Sequence, residues 1–193
     1  MTTTTLTNAS VVNGVDRDKL FGTVGVIKDT PGLARFRFKV HNEWLDGGHN
    51  RSTIESFFGA GSEMQHAIKF ELHADEPAVL LGKDQGPNAG EYLLHALAAC
   101  LTGAMIYHAA ARGIAIDEVE SSVEGDIDLR GFLGIDKTVR PGFQQIRVGF
   151  RIKADVSDEQ LQELSELAQQ YSPVFDSITR GVPVAVAAER LKE

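Results

Sequence analysis

Apolar and polar residues alternate over several short stretches of the chain, and their spacing divides it into strands and helices. Phe36, Phe38 and Val40 are interleaved with Arg35, Arg37, Lys39 and His41, the period-two pattern of a strand with one face on a core. Asp46-Gly47-Gly48 predicts a hairpin turn, with Ser52 to Phe58 as the returning strand. Ile68, Phe70 and Leu72 around Lys69 and Glu71 supply a third strand. These three predict an antiparallel meander with one wet face. Val123, Ile127 and Leu129 alternate with acidic residues as a fourth strand. Ile146, Val148, Phe150 and Ile152 alternate with Arg147, Arg151 and Lys153 as a fifth, and Val182 to Ala188 predicts a last short strand.

Between the third and fourth strands twenty residues, Tyr92 to Ala111, pass without Asp, Glu, Lys or Arg. This long helix is entered through Gly86-Pro87-Asn88 and left at Arg112-Gly113, where glycine ends a helix by taking the left-handed conformation. Ser157-Asp158-Glu159-Gln160 is a capping box that opens a helix with Leu161, Leu164, Ala168 and Tyr171 on its inner face. Ser172-Pro173 restarts or bends that helix, with Ser as N-cap and Pro at the first helical position. Ahead of the first strand, residues 1 to about 13 are polar and Thr-rich and are expected to be loosely ordered. Leu20, Val24 and Ile27 predict a short helix over Asp16 to Lys28, in which Gly22 and Gly25 cost roughly 1 kcal/mol each relative to Ala. The order of elements is that of an α+β fold with a mainly antiparallel sheet and a long central helix, not a series of βαβ crossovers. Residues 1–34 form an arm and residues 35–193 the domain.

Composition narrows the reading. With 193 residues the chain is long enough for one full hydrophobic core. An excess of 27 acidic over 19 basic residues, a formal charge of −8, disfavours a nucleic-acid partner. The N-terminus, MTTTTLTNAS, lacks the basic start and apolar run of a signal peptide, which predicts a cytoplasmic protein. The uncharged run is long enough to cross a bilayer. It is Ala-rich, carries His95, Thr102 and His108, and lacks basic flanks, so a helix buried inside a soluble protein is the expectation and no membrane partner is implied.

Cys100 is the only cysteine and the one side chain with strong intrinsic nucleophilicity. It shares an apolar helix stripe with Leu93, Leu97 and Ala104, where a free cysteine is commonly a small buried hydrophobe. To react it needs a thiolate, and therefore a cation or hydrogen-bond donors brought from elsewhere in the fold. Ser172 reads as a helix cap, worth about 1 kcal/mol against Ala, and not as a nucleophile. None of the six histidines forms a ligand pair of known spacing, so no metal is expected. Gly131-Phe132-Leu133-Gly134 lacks the lysine and helix start of a phosphate-binding loop.

Two segments together carry a family likeness. Gly86-Pro87-Asn88, leading through Glu91 into Leu93-Leu94-His95-Ala96-Leu97-Ala98-Ala99-Cys100-Leu101, resembles the central helix of the OsmC/Ohr family (osmotically inducible protein C and organic hydroperoxide resistance proteins). Ser172-Pro173-Val174 through Thr179-Arg180-Gly181 resembles the family's second motif, where a cysteine precedes proline at a helix start. The likeness covers roughly residues 35 to 191. It implies an OsmC-like fold and an intertwined homodimer with the long helices near its centre. In the family's reductases a cysteine on the central helix attacks the peroxide, becomes a sulfenic acid and condenses with a second cysteine. An external dithiol, often protein-bound dihydrolipoamide, then restores both thiols.

Cys100 matches the peroxidatic cysteine. At the second, resolving position stands Ser172, so the resemblance implies reduction by an external thiol or by Cys100 of the partner subunit. The activating arginine of the family falls just after the first hairpin turn. An ungapped reading places His49 there, whereas permanent charge favours Arg51; two residues apart, they share a strand face. The acid that positions that arginine falls at Gly90, with Glu91 one place later. Glu91 lies on the side of the helix opposite Cys100 unless the helix begins after it.

Three functions follow as expectations. The first is a single-cysteine peroxidase for organic hydroperoxides, with Cys100 as nucleophile, Arg51 holding the thiolate, no bound cofactor, and an external thiol or dithiol as reductant. The second is a non-catalytic dimer that binds a small hydrophobic ligand, with Cys100 as packing. The third is a cysteine-nucleophile transferase or hydrolase using His95 or His108.

Overall fold

A computed structural model describes residues 10–191. The arm opens with a small hairpin, β1 (Val11–Val12) and β2 (Val15–Asp16). Its turn residues Asn13 and Gly14 both have left-handed φ, 53° and 76°, the two-residue turn that an Asn-Gly pair favours. The loose order expected up to residue 13 is therefore corrected for residues 10–13, and its remainder lies outside the described residues. Asp16 caps α1 (Arg17–Asp29) by accepting from the Lys19 amide. The arm is pinned to the body by Asn13, which donates to the Ile114 carbonyl at 2.9 Å and accepts from the Ile116 amide at 2.8 Å.

A four-stranded antiparallel sheet follows: β3 (Arg37–Phe38), β4 (His41–Asp46), β5 (His49–Gly59) and β6 (Ser62–Ala74). β5 is central, with β3 and β4 on one side and β6 on the other. The strand predicted through Val40 is broken in two, because the register against β5 slips by one residue between Phe38↔Phe57 and His41↔Thr53. The expectation of one half-buried face also fails within a single chain. Phe38 is 74% exposed and Trp44 73%, since none of the described residues covers them.

The chain then turns through residues 75–88 into α2 (Ala89–Ala111). Asn88 accepts from the Glu91 amide at 2.9 Å while the Glu91 carboxylate accepts from the Asn88 amide at 2.8 Å, a capping box that closes the first turn. The turn is organised by Asp75, whose buried carboxylate accepts from the amides of Glu76, Lys83 and Gln85. Burial alone would raise its pKa; the three backbone donors outweigh burial and hold it below the ordinary value. Two contacts tie this end of the sheet to the helix: Tyr92 Oη donates to the His73 carbonyl at 2.8 Å, and the Asp75 amide to the Pro87 carbonyl at 3.4 Å.

Beyond α2 come β7 (Glu118–Asp126), a short α3 (Leu129–Phe132), β8 (Gln145–Lys153), α4 (Asp158–Tyr171) and α5 (Pro173–Arg180). β7 stops at Asp126, short of the predicted Ile127 and Leu129. Asp128 accepts from the Arg130 amide at 3.0 Å and so caps α3 where the strand would have continued. Inward-facing Val119, Val123, Ile146, Val148, Phe150 and Ile152 pack the β7–β8 ribbon on the core. Its outer face carries cross-strand ion pairs such as Arg147 with Asp126 at 2.5 Å, which explains the alternating charges. The core itself is Leu97, Leu101, Met105 and Ala109 of α2 against Ile114 and the α4 residues Leu164 and Ala168. The strand predicted over Val182 to Ala188 is absent: among the described residues those after Arg180 form neither helix nor strand.

α2 is long and apolar enough to cross a bilayer by length and composition, with 28% of its most apolar window buried. One flank packs on α4, α5 and β7, and α1 touches it as well, while Leu93 and Tyr107 stay exposed among the described residues.

Candidate functional site

Cys100 sits mid-way along α2, half-buried, its thiol free. It lies between the core residues Leu97 and Leu101, so its position along the helix is fixed by side chains that cannot move without opening the core.

Arg51 lies on β5 opposite Glu43 and His73. It donates to the Glu43 carboxylate at 2.6 Å. This hydrogen bond, with the opposite charge behind it, holds Glu43 below the ordinary carboxylate range and raises Arg51. Arg51 belongs to the charged face of the sheet, where it lines an open groove of about 410 Å³ with Lys39, His41, Glu43 and Lys69. His49 shares that face, as its spacing predicts. Its Nε2 lies 2.9 Å from His73 Nδ1, with the rings 5.2 Å apart. Arg51 and Cys100 share no hydrogen bond or ion pair in the single chain; the guanidinium is committed to Glu43.

The supporting role considered for Glu91 is corrected by the start of α2. The helix begins at Ala89, so Glu91 lies within it, half a turn from Cys100, and its carboxylate is occupied by the capping box. At Gly90 the place of a side chain is taken by Phe143: a Cβ there would lie 3.2 Å from the ring, and one on Gly125 of β7 would lie 2.5 Å from it. Phe143 thus wedges between α2 and β7.

Ser172 is 1% exposed. Its Oγ accepts from the Phe175 amide at 3.1 Å, with Pro173 as the first residue of α5. The cap reading of Ser172 stands. Neither histidine of the transferase reading is paired with Cys100. His95 is exposed, and His108 stacks on Tyr171 with centroids 4.6 Å apart. Burial, with the nearby Arg112 charge, lowers the His108 pKa. Among the described residues no group of three or more His, Cys, Asp or Glu side chains converges on one point.

Pattern reading missed one feature. On the face of the four-stranded sheet opposite the charged groove, Phe36, Phe38, Phe57, His66 and Phe70 form a chain of ring contacts with centroids 5.1 to 6.3 Å apart. The signal lay in the phenylalanine spacing, but the bulges that bring Phe57 into line with Phe70 shift the register between Ile54 and Ser56 and leave no mark in the sequence.

The architecture places the chain among α+β proteins that carry a single thiol on a long central helix flanked by antiparallel sheets. Within that class it belongs to the OsmC-like protein family, whose model matches residues 82–187, more than half of the chain. The fold is similar to that of an OsmC-like protein from Mycoplasma pneumoniae, with TM-score 0.56, 16% identity, and coverage of 76% of this chain and 89% of that one. It is also similar to an organic hydroperoxide resistance protein OsmC from Legionella pneumophila, with TM-score 0.52, 16% identity, and coverage of 74% and 90%. An OsmC-like protein of unknown function from Vibrio cholerae matches at TM-score 0.53 and 12% identity, covering 74% and 94%. No curated protein matches the chain in sequence.

Proposed function

We propose that the protein is a homodimeric, single-cysteine reductase of organic hydroperoxides acting in the cytoplasm. The reading is carried by the half-buried, free Cys100 on the central helix of an OsmC-like fold. The thiolate attacks one peroxide oxygen, the O–O bond breaks, and the leaving alkoxide takes a proton to become an alcohol. Cys100 is left as a sulfenic acid. One external thiol condenses with it, releasing water and forming a mixed disulfide, and a second thiol (or the other arm of a dithiol) displaces Cys100 as thiol. Two electrons from the thiols balance the two taken by the peroxide. With Ser172 at the resolving position and buried as a cap, the reductant must come from outside the chain. Arg51 is the candidate cation; in this role it exchanges Glu43 for the thiolate of the partner subunit.

The dimer is supported by two apolar surfaces that the described residues leave exposed, the ring-lined sheet face and one flank of α2, each of which a second copy would bury. Intact mass after brief treatment with cumene hydroperoxide in the presence of dimedone tests the chemistry. A single adduct on Cys100, absent in Cys100→Ser, is expected. A chain that stays unmodified under excess peroxide overturns it.

The pairing of Arg51 with Glu43 favours a second reading, in which the dimer keeps its apolar cleft for a small hydrophobic ligand and Cys100 is packing. Under that reading Cys100→Ala binds a fluorescent apolar probe as tightly as the parent protein.

A further inference from the structure

His49 and His73 are 24 residues apart in the chain, and nothing in that spacing marks them as a pair. The pairing of β5 with β6 brings them together. Arg51 lies opposite His73, and His49, two residues before Arg51, shares their face. The facing nitrogens, His49 Nε2 and His73 Nδ1, are 2.9 Å apart. Two nitrogens bound to one ion at about 2.05 Å each and at a right angle to one another are also about 2.9 Å apart, whereas a tetrahedral ion holds them about 3.3 Å apart. Both rings are half-buried, so the strand ladder sets their separation while one side stays open to water.

The surrounding charge suits a cation. Asp46 of β4 is the register partner of His49. Asp75 follows Ala74, the partner of Asn50, and so comes opposite His49 from the other side. The Asp46 carboxyl is held below its ordinary range chiefly by the hydrogen bond and charge of Lys83, and positive charge at His49 acts in the same direction. At Asp75 burial opposes the lowering, the amides of Glu76, Gln85 and Lys83 produce it, and positive charge at His49 adds to it. Carboxylates on both flanks therefore favour a cation on this ring. The neighbouring cations are already paired, Lys83 with Asp46 and Arg51 with Glu43.

We propose that His49 and His73 form a two-imidazole site for a divalent transition ion of tetragonal preference, Ni²⁺ or Cu²⁺, with water in the remaining positions. In the metal-free pair one ring donates its inner N–H to the other. On binding, that proton moves to the outer nitrogen of the same ring, both inner lone pairs turn to the ion, and no net proton is released. The ion bridges β5 and β6 beside the Tyr92 hydrogen bond to the His73 carbonyl. The site needs neither Cys100 nor a second copy, so it stands or falls apart from the function proposed above.

Calorimetric titration of the tag-free, full-length protein with nickel chloride tests this, with the histidine ring signals followed by NMR through the same titration. One Ni²⁺ per chain is expected, and the rings of His49 and His73 should broaden before those of the other four of the six histidines. His49→Gln and His73→Gln should each weaken binding at least about tenfold, because a single imidazole loses the gain of the linked second ligand. Cys100→Ser should bind as the parent protein does. The order of ring broadening is read in the parent protein, so it decides the matter even where a variant fails to fold. No binding, other histidines broadened first, affinity retained in either glutamine variant, or affinity lost in Cys100→Ser each overturns the site.

Discussion

Replacing Ser172 by alanine separates two meanings of the resolving position. As a cap, Ser172 supplies the acceptor for the Phe175 amide at 3.1 Å, at the start of a helix whose Val174, Phe175 and Ile178 lean on the core. Loss of such a cap costs about 1 kcal/mol, within a range of roughly 0.5–2. The side chain is 1% exposed, so water does not readily replace the lost acceptor and the cost should fall in the upper half of that range. For a chain of this length 1 kcal/mol lowers Tm by roughly 2–4 °C. Thermal unfolding followed by circular dichroism, beside peroxide turnover with an excess of small-molecule dithiol, reads both roles at once. The expected result for Ser172→Ala is a Tm lower by a few degrees, with turnover per folded molecule unchanged; Ser172→Gly should lose less, because glycine caps nearly as well. Unchanged Tm with abolished turnover would refute the cap argument and place the hydroxyl in the chemistry.

Four further outcomes follow from the structure. Met105→Ala, at a position with no exposure, should cost about 2–5 kcal/mol by opening a cavity between α2 and α4, measured by urea unfolding. Gly125→Ala forces a Cβ to 2.5 Å from the Phe143 ring and should cost roughly 1–3 kcal/mol. Most of that should return in Gly125→Ala/Phe143→Leu, and additive costs would refute the wedge. The Glu43 carboxyl, held low chiefly by Arg51, should titrate below the ordinary value of 4.5 by carbon NMR and move back up in Arg51→Ala. The stability this pair gives is present above pH 4.5 and is lost as pH falls through the lowered value. His108 has the opposite consequence. With its pKa lowered from 6.5 by burial, the unfolded chain binds the proton more readily, so stability falls as pH drops below 6.5; His108→Gln should flatten that part of the pH–stability curve.

The elements legible in the sequence are those whose partners are near in the chain or whose pattern is long. The capping box at Ser157, the Ser172-Pro173 restart and the inward alternation of β8 all follow from local chemistry, and the structure bears each out. Asn13-Gly14 is a short hairpin signal that stands in a polar, Thr-rich surrounding with no alternating pattern beside it. The split between β3 and β4 and the bulge near Glu55 depend on cross-strand register, which no single strand encodes. At the candidate site, the motif around Cys100 was readable because it lies on one helix. The fate of Arg51 was not, because its ion partner Glu43 sits across a strand pair. The place of Glu91 hung on the helix start, which Asn88 fixes one residue before Ala89.

The narrow clasp between sheet and helix, the Tyr92 hydroxyl on the His73 carbonyl beside the Asp75 turn, bears on how the molecule assembles. The buried cluster lies within α2, α4 and their flanking ribbon, so this half can collapse as a unit from contacts made inside one chain. In the proposed dimer the four-stranded sheet gains such a reward only when a second copy arrives, so that its ordering becomes a bimolecular event. Refolding should accordingly divide into a fast phase independent of protein concentration and a slower one that accelerates with it. In that dimer the clasp would tether the waiting sheet to the finished helix, and so raise the local concentration of the surface on which the second chain lands.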